Sequence, residues 1–137
     1  MIKDLKISYK EDISKIPEKN ILRMERAFDT FQNLIKTFYN QNIFDKKYAL
    51  DLGEGDRSFI KVLENKKFKV KGYDIDTVNF EKDEIPEEDN SVDIIFCNSV
   101  IEHISNISNF FSEIYRILKK DGILIVITPN FTYDYKN

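Results

Sequence analysis

ALDLGEGDRSF, residues 49–59, joins an apolar strand to an apolar helix through two glycines set two residues apart. Ala49, Leu50 and Leu52 read as a buried strand broken by one acid, Asp51, and Phe59 starts the next apolar run. Glycines at Gly53 and Gly55 allow a sharp turn and a close backbone approach that a side chain would block. The place where a third glycine often stands holds Arg57. Such a third glycine packs the helix against the strand in a dinucleotide loop. Glu54 and Asp56, beside it, would repel a pyrophosphate and tolerate a ligand that carries positive charge.

Outward from this loop, strand and helix periodicities alternate. YALDL (48–52) is a strand, and RSFIKVLENK (57–66) a helix with Phe59, Ile60 and Leu63 inward. FKVKGYDID (68–76) is a second strand ending at acids, and SVDIIFCNSV (91–100) a third, apolar through its middle. SNFFSEIYRILKKDG (108–122) is a helix whose stripe is Ile107, Phe110, Phe111, Ile114, Ile117 and Leu118. Lys119 and Lys120 sit at its C-terminal end and Gly122 follows as its cap. ILIVITPN (123–130) is the fourth strand. Continuous apolar strands separated by helices imply an α/β fold, a mostly parallel sheet with both faces covered.

One interval breaks the alternation. Between the second strand and the turn PEEDNSVD lies only TVNFEKDEI (77–85), shorter than the roughly dozen residues a helical crossover needs. No helix fits there, so the sheet is reduced on that side and the strand from Tyr48 lies near its middle. Upstream, KIPEKNILRMERAFDTFQNLIKTFYNQN (15–42) reads as a helix with Pro17 and Glu18 suited to its first turn. Ile21, Met24, Phe28, Phe31, Ile35 and Phe38 form its apolar stripe, widened by Leu22, Ala27, Leu34 and Tyr39. The stripe packs on a sheet or lids a site. Residues 1–46 are thus expected as a helical lead-in packed on a core of 47–137, together one domain.

The 137 residues are 42% hydrophobic, enough for a real core, and carry 21 basic against 24 acidic side chains, net −3. With a pI near 5.3 there is no electrostatic case for a nucleic-acid partner. One cysteine, Cys97, and one histidine exclude an internal disulfide and a thiolate zinc site. No membrane span and no signal peptide are read, so the expected location is the cytoplasm.

In an open parallel sheet, ligands lie beyond the carboxyl ends of the strands. Polar residues gather at those ends: Asp51, Gly53 and Gly55; Asp74 and Asp76; Asn98, Ser99, Glu102 and His103; then Thr128, Pro129 and Asn130. Asp74, at the next strand tip after the glycine loop, can accept two hydrogen bonds from a ribose diol. Glu81 or Asp83 could reach a base amino group, and Asn98 could face the ligand. A sulfonium-bearing amino-acid nucleoside suits these acids better than NAD.

ALDLGEGDRSF, VKGYDID, IPEEDNSVDIIFCNSVIEHI and EIYRILKKDGILIVITPN together resemble the successive motifs of class I S-adenosylmethionine-dependent methyltransferases, nearest to the methyltransferase-11-like enzymes. The resemblance covers about residues 47–130. It implies a Rossmann-like core with S-adenosylmethionine as cofactor: Gly53, Glu54 and Gly55 around its methionine part, Asp74 on the ribose hydroxyls, Ile75 against adenine, and Asn98 and Ser99 flanking the methionine end. Asp51 belongs to the same loop, and Glu81 or Asp83 lies near the family's adenine-contacting acid. The chain departs from the pattern at Arg57, usually glycine, and in lacking the family's C-terminal strands.

His103, in VIEHI, is a candidate general base or a brace for the helix start. Its Glu–His pair resembles half the metal site of small-RNA 2′-O-methyltransferases. Ser99 stands where that site has its earlier glutamate, and there is no second histidine, so no metal is assigned. The expected function is methyl transfer to a small-molecule or glycan-like acceptor. A catalytically weak or inactive binding module is the alternative, and an NAD-binding domain a third, opposed by the glycine spacing. Phe131, Tyr133 and Tyr135 read as a frayed tail or substrate aromatics. An uncovered sheet edge would invite homodimer formation.

Overall fold

The computed structural model describes residues 15–128. Helix α1 spans Glu18–Tyr39, strand β1 Tyr48–Leu52, helix α2 Ser58–Asn65, strand β2 Lys69–Tyr73, strand β3 Val92–Asn98, helix α3 Ile107–Ile117 and strand β4 Leu118–Ile127. The sheet order is β2-β1-β3-β4 and every pairing is parallel. β1 is therefore central, as its buried sequence requires. Phe131, Tyr133 and Tyr135 lie outside the described residues, as do Pro129 and Asn130.

The alternation of side chains in β1 and β3 feeds two cores. Ala49, Ile94 and Phe96 face one side, where Phe28, Phe31 and Ile35 of α1 and Phe59, Val62 and Leu63 of α2 cover them. Leu50, Leu52, Ile95 and Cys97 face the other, under Phe110, Ile114 and Ile117 of α3. At about 25 cal/mol per Å² of apolar surface removed from water, these two layers supply the main drive to fold.

No helix lies between β2 and β3 among the described residues. The segment covers the sheet by other means: Val78, Phe80 and Ile85 are buried in the α3-side core. Arg116 of α3 then pins it. Its Nη1 donates to the Glu87 carbonyl at 2.9 Å and to Asp89 Oδ1 at 2.8 Å, its Nη2 to the Ile85 carbonyl at 2.9 Å, and its Nε to Glu113 Oε2 at 2.7 Å. Glu113 Oε1 in turn accepts from Ile85 N–H at 2.8 Å. The hydrogen bonds from Arg116 hold the Glu113 carboxyl below its usual range. Glu87 accepts from the hydroxyls of Tyr48 (2.7 Å) and Tyr73 (2.9 Å), which ties the same segment to β1 and β2.

Four sequence expectations are corrected. α3 ends at Ile117, not in the lysines: Leu118 is already extended and pairs with Val92. Lys119 and Lys120 belong to β4, which shifts register so that Ile123 pairs with Ile94. Gly122 is no helix cap. A Cβ there would lie 2.5 Å from Leu118 Cγ and 2.8 Å from the Lys119 carbonyl oxygen, so the chain folds back on itself only with glycine. The α1 stripe is buried only in part. Phe28, Phe31 and Ile35 meet the sheet, whereas Phe38 is 72% exposed, and Leu22, Leu34 and Tyr39 are exposed too. Finally β2 is shorter than FKVKGYDID and stops at Tyr73, which leaves Asp74 and Asp76 in the following turn.

Candidate functional site

The strand tips are organised by the glycine loop. Gly53 has φ +90°, its N–H donates to the Tyr73 carbonyl at 2.7 Å, and a Cβ on it would lie 2.6 Å from both the Asn98 carbonyl oxygen and Val100 Cγ2. The loop is thus clamped between the tips of β2 and β3. Gly55 has φ +50° and nothing within 4 Å of where a Cβ would be. Its left-handed backbone faces open space, as a ligand-approaching turn should.

Arg57, the residue in the third-glycine place, keeps the glycine's conformation, with φ +65° at the N-cap of α2. Asp56 caps that helix instead, its Oδ1 accepting from Ser58 N–H at 2.9 Å. The Arg57 side chain folds back so that its Nε lies 3.5 Å from Glu54 Oε2, without hydrogen-bond geometry, and Nε is buried and has no hydrogen-bond partner. Glu54 packs over Gly72, where a Cβ would run into its carboxylate. A left-handed non-glycine residue costs about 1–2 kcal/mol. Arg57→Gly removes that strain and also the cation beside Glu54. Burial pushes the Glu54 carboxyl up, Arg57 opposes this and Asp74 adds to it. The expected result is a variant more stable than the parent by up to about 1 kcal/mol at pH 5. The gain shrinks at pH 8, where Glu54 must ionise without its partner. Denaturant melts at the two pH values check this.

Asp51 is 2% exposed, in register between Gly72 of β2 and Phe96 of β3. Burial first, and then the neighbouring Glu54, Asp74 and Asp56, push its carboxyl up to about 7. Asp51, Glu54 and Asp74 thus form one electronegative group around the glycine loop. Burial, Asp51 and Glu102 push the Cys97 thiol up to about 12, so it is a packed, inert thiol.

Asp74 opens the turn after β2. Its Oδ1 accepts from Ile75 N–H at 2.8 Å, and it makes no ion pair among the described residues. The turn itself is held by Thr77, whose hydroxyl accepts from Asp74 N–H at 3.0 Å. Ile75 is 47% exposed at the same tip. Asp83 is engaged in its own turn, its Oδ2 accepting from Asn79 N–H at 3.1 Å. Glu81 Oε1 accepts from Ser105 N–H at 2.6 Å and Asn106 N–H at 2.8 Å, bracing the entry to α3. Asn98 and Ser99 stand at the β3 tip. Ser99 is left-handed (φ +56°), donates through Oγ to Asn98 Oδ1 at 3.2 Å, and pairs through N–H with the Ile127 carbonyl. His103 lies on the 3-10 turn Ile101–His103, its side chain 63% exposed and 3.9 Å from Glu102.

A cleft of about 360 Å³ opens beside Asn98 and Ser99, between α1 and the sheet. Met24, Ala27 and Phe31 of α1, Phe59 of α2 and Phe96 of β3 line it, with Arg23 at its rim. The apolar stripe of α1 gave the sequence signal for this wall, but it reads first as packing on a sheet and only second as a lid. In the structure Phe28 and Ile35 of α1 seal the core while Met24 and Phe31 line the cleft. His103 does not line it.

A methyltransferase-domain family model matches residues 21–136. A ubiquinone biosynthesis O-methyltransferase of Rickettsia bellii is 33% identical over 116 residues, 72% of this chain and 48% of the relative. Among solved structures, a protein of Pyrococcus horikoshii superposes with a TM-score of 0.62 at 21% identity, over 82% of this chain and 57% of its own. A SAM-dependent methyltransferase of Archaeoglobus fulgidus does so with 0.60 at 18% identity, over 90% and 58%. At those identities the likeness is one of fold. This chain spans about half the length, or less, of the curated relatives it matches. Among the described residues no helix is long and apolar enough to cross a membrane.

Proposed function

This chain belongs to the methyltransferase-domain family, and we propose that its strand tips bind S-adenosylmethionine and present its methyl group to a small-molecule or glycan-like acceptor. One observation carries the reading. An open, left-handed Gly55 lies in a loop clamped by Gly53, where burial and the neighbouring Glu54 and Asp74 raise Asp51, and burial and Asp74 raise Glu54. Such a cradle fits a ligand that brings a ribose and cationic groups. When bound, S-adenosylmethionine supplies an electrophilic methyl on a positively charged sulfur. In this reading Asp74 accepts from the ribose hydroxyls, Ile75 covers the adenine, and Gly53, Glu54 and Gly55 surround the methionine part. Asn98 and Ser99 separate the cofactor from the cleft under α1. The protein's contribution is then mainly alignment, which can supply much of the acceleration of a displacement reaction. His103, exposed and away from the cleft, gains no support as a base from this geometry. The strained Arg57 favours a second reading, a cofactor-binding module with little turnover.

Calorimetric titration tests the shared premise. S-adenosylhomocysteine is expected to bind the chain and NADH to leave it unchanged. NADH binding without S-adenosylhomocysteine binding would overturn the reading. Turnover of candidate acceptors then divides the enzyme from the module.

A further inference from the structure

Resting on that cofactor reading, we infer that Arg57 and Glu54 together seat the amino-acid end of the ligand, the arginine taking its carboxylate and the glutamate its ammonium. Arg57 is then the residue that tells a nucleoside carrying a free amino acid from one without it. The family's pattern has a glycine at this place, which offers no side chain, so the role rests on this chain's departure from that pattern.

Two charges in contact with their hydrogen bonds unmade are the first observation. Nε of Arg57 lies 3.5 Å from Glu54 Oε2, and the two side chains are 30% and 12% exposed. Neither the guanidinium nor the carboxylate makes a hydrogen bond among the described residues, and Nε is buried without a partner. A buried donor left so costs about 1–3 kcal/mol. A guanidinium is a planar fork of donors with no acceptor, matched by a carboxylate that can take two parallel bonds.

The second observation is that the other acids of the loop are engaged. Asp56 accepts from Ser58 N–H through Oδ1 at 2.9 Å and from Asn20 Nδ2 through Oδ2 at 2.7 Å. Asp74 accepts from Ile75 N–H at the β2 tip, and Asp51 is buried. Glu54 is left to accept from an ammonium. Within the loop, residues 53–57, Arg57 is the sole cation.

The third is spacing. The ammonium and carboxylate of an α-amino acid hang from one carbon, so their partners must stand side by side with opposite charge. Glu54 and Arg57 do so, on either side of the open, left-handed Gly55. Burial pushes the Glu54 carboxyl up and Arg57 opposes this, so the arginine also keeps Glu54 in the charged form that an ammonium needs. The ligand's two charges supply each side chain with the charge-assisted hydrogen bonds it lacks.

The test is calorimetric titration of the full chain with S-adenosylhomocysteine and with 5′-methylthioadenosine, a thioether nucleoside that has no amino-acid end. The parent is expected to bind S-adenosylhomocysteine at least about tenfold more tightly. Arg57→Gly is expected to weaken S-adenosylhomocysteine about tenfold or more, through loss of the bidentate pair, and to leave 5′-methylthioadenosine within about twofold. Arg57→Lys keeps the charge without the fork and should fall between the two. Arg57→Gly is also expected to melt higher than the parent at pH 5. Weaker binding by a more stable chain is a split that damaged folding does not produce. Equal weakening of both ligands in Arg57→Gly overturns the inference. So does S-adenosylhomocysteine binding that is unchanged or tighter, which would make Arg57 a rival of the ligand for Glu54. A parent that binds neither compound overturns the cofactor reading instead, so the two failures are told apart in one series.

Discussion

Asp74→Ala is expected to cost the chain about a hundredfold or more in affinity for S-adenosylhomocysteine and almost nothing in stability. Two hydrogen bonds from a ribose diol to a carboxylate are charge-assisted, each worth about 1.5–3 kcal/mol, and both vanish with the side chain. The fold loses one short-range contact, Oδ1 to Ile75 N–H. The turn keeps its main-chain bonds, in which the Asp74 carbonyl accepts from Thr77 N–H and Val78 N–H, both at 2.9 Å. It also keeps the Thr77 hydroxyl on Asp74 N–H. Removing this negative charge further eases Asp51 and Glu54, which Asp74 pushes toward protonation. Circular dichroism melts should therefore superpose to within a few degrees while the calorimetric Kd moves by two orders of magnitude. Asp74→Asn keeps one acceptor and should fall about tenfold below the parent. Unchanged binding in Asp74→Ala would remove the ribose from this strand tip, and with it the orientation proposed for the whole cofactor.

The parts of this fold legible in the sequence are those where one force dominates. β1 and β3 are buried on both faces, so their apolar runs have no other reading, and the spacing from Asp76 to Pro86 left no room for a helix. Element ends were less legible because they depend on tertiary partners. Nothing local stops α3 before Lys119. It stops because Leu118 must pair with Val92 while Arg116 holds the segment after β2. Phe38 follows the same periodicity as Ile35, yet it stays exposed, at a groove that Ile123 and Ile125 of β4 also line. At the site, glycine spacing located the loop and the strand-tip acid, because backbone torsion and chain register fix both. The conformation of Arg57 was not legible. A glycine-like φ at an arginine appears only once Gly53 and α2 are in place, and its ion pair with Glu54 depends on a rotamer. The aromatic cleft was hidden for a related reason: Phe31, Phe59 and Phe96 come from three elements, and each reads in sequence as plain core.

Asp51→Asn is the substitution with the largest expected effect on stability, and its sign depends on pH. The carboxyl is buried at the centre of the sheet tips and pushed from 3.8 up to about 7, by burial first and then by Glu54, Asp74 and Asp56. Between those two values the folded chain holds a proton that the unfolded chain has released. Stability due to this group is therefore full below pH 3.8, falls as pH rises through the interval, and is wholly lost above about 7. At about 1.4 kcal/mol per pKa unit the loss is no more than about 4 kcal/mol. Asparagine has the shape of the protonated acid and cannot ionise. At pH 4 the variant should melt with the parent; at pH 8 it should melt higher, by about 10 °C for the full effect. Carboxylates remote from Asp51 titrate equally in both chains and cancel in the difference. In the proposed reading the same carboxylate serves the ligand. A cationic cofactor favours the ionised form, so S-adenosylmethionine should bind the parent more tightly as pH rises from 6 to 8, releasing a proton on binding at the lower pH. The variant should show neither the trend nor the proton. In that reading fold and site set opposite demands on one residue, since the charge that destabilises the sheet is the charge that would hold the ligand. Calorimetry in two buffers of different ionisation enthalpy measures the proton directly. A parent that takes up no buffer heat at pH 6, with a variant that melts no higher at pH 8, would mean that Asp51 is ionised and already compensated inside the fold.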